Sequence, residues 1–460
     1  MPSLPYPLSS TPGQRPGEGQ GRLINVYAET LGESIRYLRT PGLAVFADAG
    51  RSTPRGMIEV NGDVYAVYAA GVVKVAANGA VTALAGSIPG TDGVTLARNN
   101  KVSGGVSTPD IVAVRETGGA YVLTPTTVSA YPDADLPATA NSVAFLDAFL
   151  IFSVADGRIF ASELNATAIN ALSVATAEAQ PDGLIRCVSH AGVVYAMGRD
   201  TIEPWLNVGD SPFPLQRGTS VLSVGLLTAM AIAGFGVGWD DVPYFVAHNK
   251  TVQALKGYQT EKVSTPDVEA FIAASTVSTL EACVYTLNGN AFWSLSSDRG
   301  TWELNVRTGQ WHERVSAGLN RWRGSKSVKA NDRWLIGDRL STNLLTVSES
   351  VKTEAGTTVE ATYESGPLKE YPTRMVVPSL FGEFTPAEET DVAVSWSHDG
   401  GKTWSNPVTR PLEQADRFPV RVNRLGLSTH HGFRVRFKTS SAKDFAFMGA
   451  SVPDPQGRTP

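Results

Sequence analysis

A short strand–turn–strand unit recurs through the middle of this chain, and this repeat restricts the fold more than any other feature. Each unit joins a turn to an apolar strand, and the Asn61-Gly62 pair is typical of a two-residue hairpin turn. The units begin at residues 61, 110, 146, 191, 241, 288 and 331, so neighbouring units lie 36 to 50 residues apart. Since a four-stranded propeller blade takes about 40–50 residues, the spacing predicts blades that pack into a closed ring.

We therefore expect an all-β protein containing a β-propeller of about seven four-stranded blades, and a series of β-sandwich domains built from similar hairpins is the alternative. Strand-like runs continue beyond the repeat at residues 357–363, 390–397, 418–422 and 433–438, and the alternation in the last of them indicates a sheet with one buried face. Five prolines within the first sixteen residues argue against regular strands there, so an extended arm is expected. The predicted division is an N-terminal arm (1–45), a propeller (46–350), a β-sandwich-like domain (351–452) and a tail (453–460).

Composition limits the partners of the chain. Of its 460 residues 42% are hydrophobic and only 18% are charged, and the formal net charge is −5. A specific DNA-binding protein usually concentrates Lys and Arg on one face, and no basic block is present here. The two cysteines, Cys187 and Cys283, each lie in an apolar strand-like run. Buried free thiols are therefore expected, with a disulfide as the alternative.

The longest uncharged stretch, Gly218–Trp239, is long enough to cross a bilayer. However, it contains five glycines, which favour two buried strands and a turn over a membrane helix. We therefore expect no membrane insertion by this chain.

The sequence lacks the motifs of known catalytic centres. None of its six histidines forms a zinc-ligand pair, and no phosphate-binding loop or nucleophile elbow is present. We expect no catalytic residues, no cofactor and no metal site, and hence a protein that is not an enzyme. Because two carboxylates facing a sugar suffice for a glycosidase, a glycan-binding or glycan-cleaving β-propeller is the alternative function.

One local motif lies outside the repeats, at residues 397–404. It matches the Asp-box turn of sialidases and other propellers, in which an Asp caps backbone N–H groups and two glycines supply positive φ. Trp404 is expected to plug the sheet below the turn. The motif residues, for which we predict a structural role, are Ser397, Asp399, Gly400, Gly401 and Trp404.

Five segments together make the chain similar to the phage tail nozzle family, also called tail hub or packaged-DNA stabilisation proteins of P22-like short-tailed phages. The first carries Asn25, Tyr27 and Glu29, followed by Pro41 and Gly42. The others, in order, are residues 257–269, 300–314, 335–339 and the 397–404 turn. Related chains often have Tyr and Asp at the positions of Glu303 and Asn305, where this chain departs from the pattern.

The resemblance implies a structural virion protein that is made in the host cytoplasm and forms a hexameric ring below the portal and its adaptor. Such a ring extends the DNA channel, retains the packaged DNA and conducts it during ejection. The implied partners are copies of the same chain, the portal and adaptor complex, tail fibre or spike proteins, and a needle or plug protein. Contact with the passing double-stranded DNA is expected to be transient and non-specific.

Overall fold

The structure is a computed structural model that describes residues 3–177, 179–453 and 456–458. The chain divides into two compact units. Unit 1 comprises residues 1–44, 287–322 and 347–460, and unit 2 comprises residues 45–286 and 323–346. Segment 287–322, expected in the propeller, is thus grouped with unit 1.

Nearly all regular elements are strands. Those of the first half are β1 (Gly21–Ile24), β2 (Val26–Leu31), β3 (Ser34–Arg39), β4 (Gly42–Asp48), β5 (Pro54–Val60), β6 (Asp63–Tyr68), β7 (Gly71–Val75), β8 (Val81–Ala83), β9 (Val94–Arg98), β10 (Val102–Ser103), β11 (Val106–Ser107), β12 (Ile111–Arg115), β13 (Ala120–Leu123), β14 (Val128–Ala130), β15 (Ala140–Leu146), β16 (Phe149–Val154), β17 (Arg158–Ser162), β18 (Ile169–Thr176), β19 (Leu184–His190), β20 (Val193–Gly198), β21 (Ile202–Asn207) and β22 (Leu215–Arg217).

The elements of the second half are β23 (Ile232–Ala233), β24 (Tyr244–Val246), β25 (Val252–Lys256), β26 (Gln259–Lys262), helix α1 (Pro266–Ala274), a 3-10 turn (Val277–Thr279), β27 (Glu281–Leu287), β28 (Asn290–Ser296), β29 (Thr301–Asn305), β30 (Gln310–Glu313), β31 (Gly324–Ala330), β32 (Arg333–Asp338), β33 (Asn343–Ser348), β34 (Thr353–Glu354), β35 (Thr357–Thr358), β36 (Ala361–Ser365), β37 (Arg374–Phe384), β38 (Asp391–Ser397), β39 (Val408–Pro411), β40 (Val420–Leu427), β41 (Arg434–Thr439), β42 (Ala446–Ser451) and β43 (Gln456–Arg458).

Unit 2 is built from small antiparallel sheets of four strands. These are β5 to β8, β9 with β12 to β14, β15 to β18, β19 to β22 and β23 to β26. A further sheet begins with β31, β32 and β33 and takes β4 as its next strand. The chain segment that precedes the first sheet therefore adds a strand to the last one.

The sequence repeat corresponds to the turn between the first and second strands of a sheet. At Asn61-Gly62 both turn residues have positive φ, 52° and 87°, as a type I′ hairpin requires. Both turn residues also have positive φ at 147–148, 191–192, 288–289 and 331–332. The units that start at 110 and 241 differ because longer connections precede β12 and β24, and the first of these carries the β10–β11 hairpin. These insertions explain the uneven spacing of the repeat.

The sheets of unit 2 pack face to face around a ring. One apolar cluster joins the β5–β8 sheet to that of β9, β12 and β13, and further clusters join each following pair of sheets as far as β24 and β25. A last cluster packs Ala66 and Val73 of the first sheet against Leu335 and Leu344 of the β31–β33 sheet. Hydroxyl groups add links between inner strands, since Cys187 N donates to Ser142 Oγ over 2.8 Å. The predicted all-β propeller is therefore confirmed, while its blade number stays a prediction.

Two segments of unit 2 differ from expectation. The uncharged stretch 218–239 contains only the two-residue strand β23 and isolated bridges at Leu222 and Leu226, since its glycines and Ser-Thr turns interrupt longer ladders. A helix, α1, follows β26 and begins with Pro266 in its first turn, where a missing N–H costs nothing. Along the described chain no helix combines the length and apolarity needed to traverse a bilayer.

Unit 1 contains a sandwich of two sheets. One has the strand order β28, β29, β30, β1, β36, β41, β38 and β39, and the other has the order β2, β3, β42, β37 and β40. Their inner faces meet in an apolar core, to which Leu23 and Phe437 contribute from the first sheet and Val26 and Phe447 from the second. Strands are present at each of the four C-terminal runs predicted from sequence, while the predicted domain boundaries stay predictions.

The N-terminal segment differs from the extended arm expected for residues 1–45. β1 pairs with β36, and β2 and β3 form a hairpin whose second strand pairs with β42. The prolines that suggested an arm all precede residue 21. The alternation of buried and half-buried residues that follows them suits a strand within a sheet, and β1 lies between β30 and β36. Of the predicted tail, 456–458 form β43 against β37, and residues 454, 455, 459 and 460 lie outside the described residues.

Candidate functional site

The N-terminal motif is a structural junction of unit 1. Asn25 lies between β1 and β2 with φ 57°, a left-handed conformation that Asn tolerates better than most residues. Its Nδ2 donates to the carbonyl oxygens of Val315 and Glu360, each over 2.8 Å, and its Oδ1 accepts from Val315 N over 3.0 Å. A single buried amide therefore holds three chain segments together.

The other motif residues take different positions. Tyr27 is half-buried, and its ring lies 5.4 Å from that of Phe292, edge-on. Glu29 accepts a hydrogen bond of 2.7 Å from Nε of Arg36 at the surface of the β2–β3 hairpin. Burial, aided by the nearby Glu29 charge, raises the pKa of the Tyr27 hydroxyl. Neither residue belongs to a catalytic arrangement.

Gly42, which follows Pro41, contacts the segment that precedes and forms β34. A Cβ atom on Gly42 would lie 2.3 Å from the carbonyl oxygen of Val351 and 2.5 Å from that of Thr353. Gly42 N donates to the Val351 oxygen over 2.9 Å. The glycine is thus required for close backbone approach rather than for an unusual φ.

A buried cluster of charged side chains lies beside this motif. Arg314 Nη1 is 3.5 Å from Glu303 Oε2, and its Nη2 is 3.4 Å from Glu354 Oε1 and donates to the Pro41 carbonyl over 3.0 Å. The Arg314 guanidinium also lies over the Trp322 ring, 4.2 Å from its centroid. Each of the three charged residues is at most 2% exposed. The cluster therefore ties β29, β34 and the Pro-Gly segment into one interior network.

The protonation state of Glu303 follows from its partners. Burial acts to raise the pKa of its carboxyl, but the Arg314 charge and hydrogen bonds with His312 and Ser294 outweigh burial and hold the pKa at about 2. Nε2 of His312 is 2.9 Å from Oε1 of Glu303, across the β29–β30 pair. Sequence reasoning noted Glu303 only as a departure from the family pattern. The signal in the sequence that could have revealed this cluster is an acidic residue between Trp302 and Leu304 in an apolar strand.

The 397–404 turn connects β38 to β39 and has the geometry of a capped turn. Asp399 Oδ1 accepts from Thr403 N over 2.8 Å and from Ser397 Oγ over 2.8 Å, and its Oδ2 accepts from Thr403 Oγ1 over 2.6 Å. Burial acts to raise the pKa of Asp399, but these hydrogen bonds prevail and lower it to about 2. Both carboxylate oxygens are thus engaged within the turn.

The glycines of the turn have different roles. Gly400 and Gly401 have φ angles of 73° and 99°, as expected. A Cβ on Gly400 would also lie 2.6 Å from Gly17 N, whereas the nearest atom to one on Gly401 is 3.4 Å away. Trp404 was expected to plug the sheet, but it is half-buried, and the Arg436 guanidinium lies 3.7 Å from its ring centroid.

Unit 2 contains a central cavity of about 570 Å³. Its wall includes residues from β5, β9, β15, β19, β23, β27 and β31, the first strands of their hairpins or sheets. Both cysteines, Cys187 and Cys283, lie in this wall, buried and not joined in a disulfide, and burial raises the pKa of Cys187 to about 12. Within the described residues no group of three His, Cys, Asp or Glu side chains is arranged to hold a metal ion.

These features define an all-β propeller joined to a β-sandwich, with its polar networks engaged in structural contacts. A family model described as "Bacteriophage P22 Gp10, beta-propeller" matches residues 22–352. The chain belongs to this family and is a structural phage protein. The matched range contains the N-terminal motif and the Glu303 cluster, and it ends before the 397–404 turn.

Other comparisons add little. No curated protein matches the chain. Among solved structures it is similar to the computationally designed Ika8 protein (13% identity, TM-score 0.39, covering 70% of this chain and 97% of that one). It is also similar to the extracellular domain of BT4673 from B. thetaiotaomicron (7%, 0.40, 76% and 44%) and to PorZ of the type-IX secretion system of Porphyromonas gingivalis (11%, 0.39, 80% and 46%). The chain thus spans less than half of the latter two.

Proposed function

We propose that this protein forms the tail nozzle, or hub, of a short-tailed phage. Copies of the chain would assemble into a hexameric ring that extends the DNA channel below the portal and adaptor, retains the packaged DNA and conducts it during ejection. The family match over residues 22–352 carries this proposal. The protein would then be located in the tail of the virion.

The size of the propeller cavity supports a ring of several chains. At about 570 Å³ the cavity is within the range of small-molecule sites, about 300–1,000 Å³. A DNA duplex has a major groove that alone is about 12 Å wide, so it cannot thread the axis of a single propeller. A protein of this family that conducts DNA would therefore need a channel between subunits, which cyclic symmetry provides through head-to-tail interfaces.

The charge of the chain suits a conduit. Six copies, each with a formal charge of −5, would carry −30. Each Lys or Arg contact with phosphate releases counterions and adds affinity, which would slow a moving duplex. A net acidic ring would limit such contacts to transient, non-specific ones.

The remaining surfaces of the ring would contact other tail components. The portal and adaptor would bind on one side, and fibre or spike proteins and a needle or plug protein on the others. The glycan-binding or glycan-cleaving alternative has less support, because the Asp399 oxygens are engaged with Thr403 and Ser397 rather than presented to a ligand.

The proposal is tested by measuring the mass of the purified protein by light scattering, alone and with the cognate adaptor, and by imaging the same samples by electron microscopy. We expect rings of six copies, alone or on the adaptor, with a central channel wide enough for a duplex. In phage that lack the protein, packaged DNA should leak from the capsid. A chain that stays monomeric with adaptor present, and that releases reducing sugar from host envelope, would overturn the proposal.

A further inference from the structure

The propeller cavity has a wall of mixed character. Its apolar side includes Met57, Met230 and Phe235, which give contact surface to an apolar ligand. Val237, in the same wall, is 79% exposed, so the cavity opens to solvent beside it. Volume, apolar lining and an opening together are the properties of a small-molecule site.

One wall residue, Arg186 of β19, is charged and 92% buried, since only 8% of its surface is exposed. Its Nη1 donates to the Ala229 carbonyl over 2.8 Å, and its Nε has no hydrogen-bond partner in the described structure. The Phe235 ring lies 5.0 Å from its Cζ and covers one side. A guanidinium has five N–H donors, and the contact with Ala229 engages only one of them.

As far as the structure describes the chain, Arg186 interacts with a carboxylate only at a distance. Within the described residues, no Asp or Glu oxygen lies within 4.0 Å of an Arg186 nitrogen, although Glu116 is near enough to interact electrostatically with both Arg186 and Lys326. Lys326 is paired with Glu281 over 2.7 Å. The other charged wall residues are Arg98, Lys329 and Glu59, and the Glu59 carboxylate accepts from Gly62 N over 2.6 Å. The wall thus carries four cationic side chains and one carboxylate.

We propose that this cavity binds a small anionic molecule with an apolar body, whose carboxylate or phosphate group is held by Arg186. The anion supplies the counter-charge and acceptors that the guanidinium lacks, and planar Arg geometry suits both groups. The apolar body contacts Met57, Met230 and Phe235. Binding of this ligand does not require the proposed tail function or the assembly of a ring.

The test uses the full chain and titrates it by calorimetry with benzoate, phenyl phosphate and the uncharged benzyl alcohol at constant ionic strength. Benzoate and phenyl phosphate probe the two anionic groups, and benzyl alcohol probes apolar contact alone. We expect at least one anion to bind at least tenfold more tightly than benzyl alcohol, because a hydrogen bond between charged groups is stronger than one to a neutral hydroxyl. Arg186→Met should weaken anion binding about tenfold or more, and Arg186→Lys should retain part of it.

The matched control is Arg199→Met, which removes an exposed arginine of unit 2 outside the cavity wall. It should bind the anions as the unchanged protein does. If Arg186→Met does not fold, the Arg186→Lys variant and the comparison with benzyl alcohol still show whether Arg186 binds the anionic group. Anions that bind no better than benzyl alcohol, or equally well to Arg186→Met, would show that Arg186 holds no anion.

Discussion

Replacing Glu303 with Gln tests whether the buried cluster of unit 1 depends on an ionised carboxylate. Gln preserves the size of the side chain and can still hydrogen-bond to His312 and Ser294, but it removes the negative charge 3.5 Å from Arg314. The change therefore isolates the charge. Its effect on the free energy of unfolding should depend on pH in a direction that the structure specifies.

The size of the effect follows from the Glu303 pKa, which lies at about 2 in the folded protein against an ordinary value of 4.5. Because the folded-state pKa is lowered, ionised Glu303 stabilises the protein fully above pH 4.5, and this stabilisation is lost as the pH falls through 4.5 toward 2. At about 1.36 kcal/mol per pKa unit, the contribution is about 3 kcal/mol at pH 7. The same linkage relation leaves about 1 kcal/mol at pH 3.

The assay is urea unfolding of both proteins at pH 7 and at pH 3, with hydrogen exchange of β29 and β30 as a local readout. The stability difference between unchanged protein and Glu303→Gln should shrink by about 2 kcal/mol on acidification. Glu29→Gln is the control, because the Glu29–Arg36 pair is partly exposed and should contribute less than about 1 kcal/mol. A Glu303→Gln difference that is the same at both pH values would refute an ionised, stabilising Glu303.

Three further substitutions test backbone features of the motifs by urea unfolding. Gly400→Val should cost more stability than Gly309→Val, because both have positive φ but only Gly400 has backbone within 3 Å of the added Cβ; equal losses would contradict the packing of the turn. Gly42→Ala should destabilise by about 2 kcal/mol or more, whereas Gly236→Ala, with open space and no positive φ, should be nearly neutral. Asn25→Gly keeps the φ but removes three hydrogen bonds, so it should cost at least about 2 kcal/mol, and a smaller loss would show that the amide holds no junction.

The propeller could be predicted from sequence because its signal is local. A pair such as Asn61-Gly62 encodes a type I′ turn by itself, and five of the seven predicted units contain such a turn. The Asp-box turn was predictable for the same reason, since Ser397, Asp399 and Thr403 are close in sequence. Contacts between residues that are close in sequence leave a pattern that can be recognised in the sequence.

Long-range partners leave no such pattern. Arg314, the cation that lowers the Glu303 pKa, comes directly after β30, but the second carboxylate of the cluster, Glu354, lies forty residues further on. Arg186 lies in an ordinary strand sequence and is unusual only because, among the described residues, no carboxylate forms an ion pair with it. Neither the cluster nor the cavity could be inferred without the fold.

The placement of the N-terminal strands changes how assembly should be tested. Removing residues 1–40 was the natural test of an extended arm, but it would delete β1, whose Leu23 lies in the core of unit 1, and the β2–β3 hairpin. Loss of infectious tails after that deletion would then report unfolding of unit 1 as readily as loss of an assembly contact. A test of assembly must leave residues 21–39 in place and change exposed residues, with the urea midpoint of unit 1 as the control. Only a variant that keeps this midpoint and still fails to enter virions identifies a subunit contact.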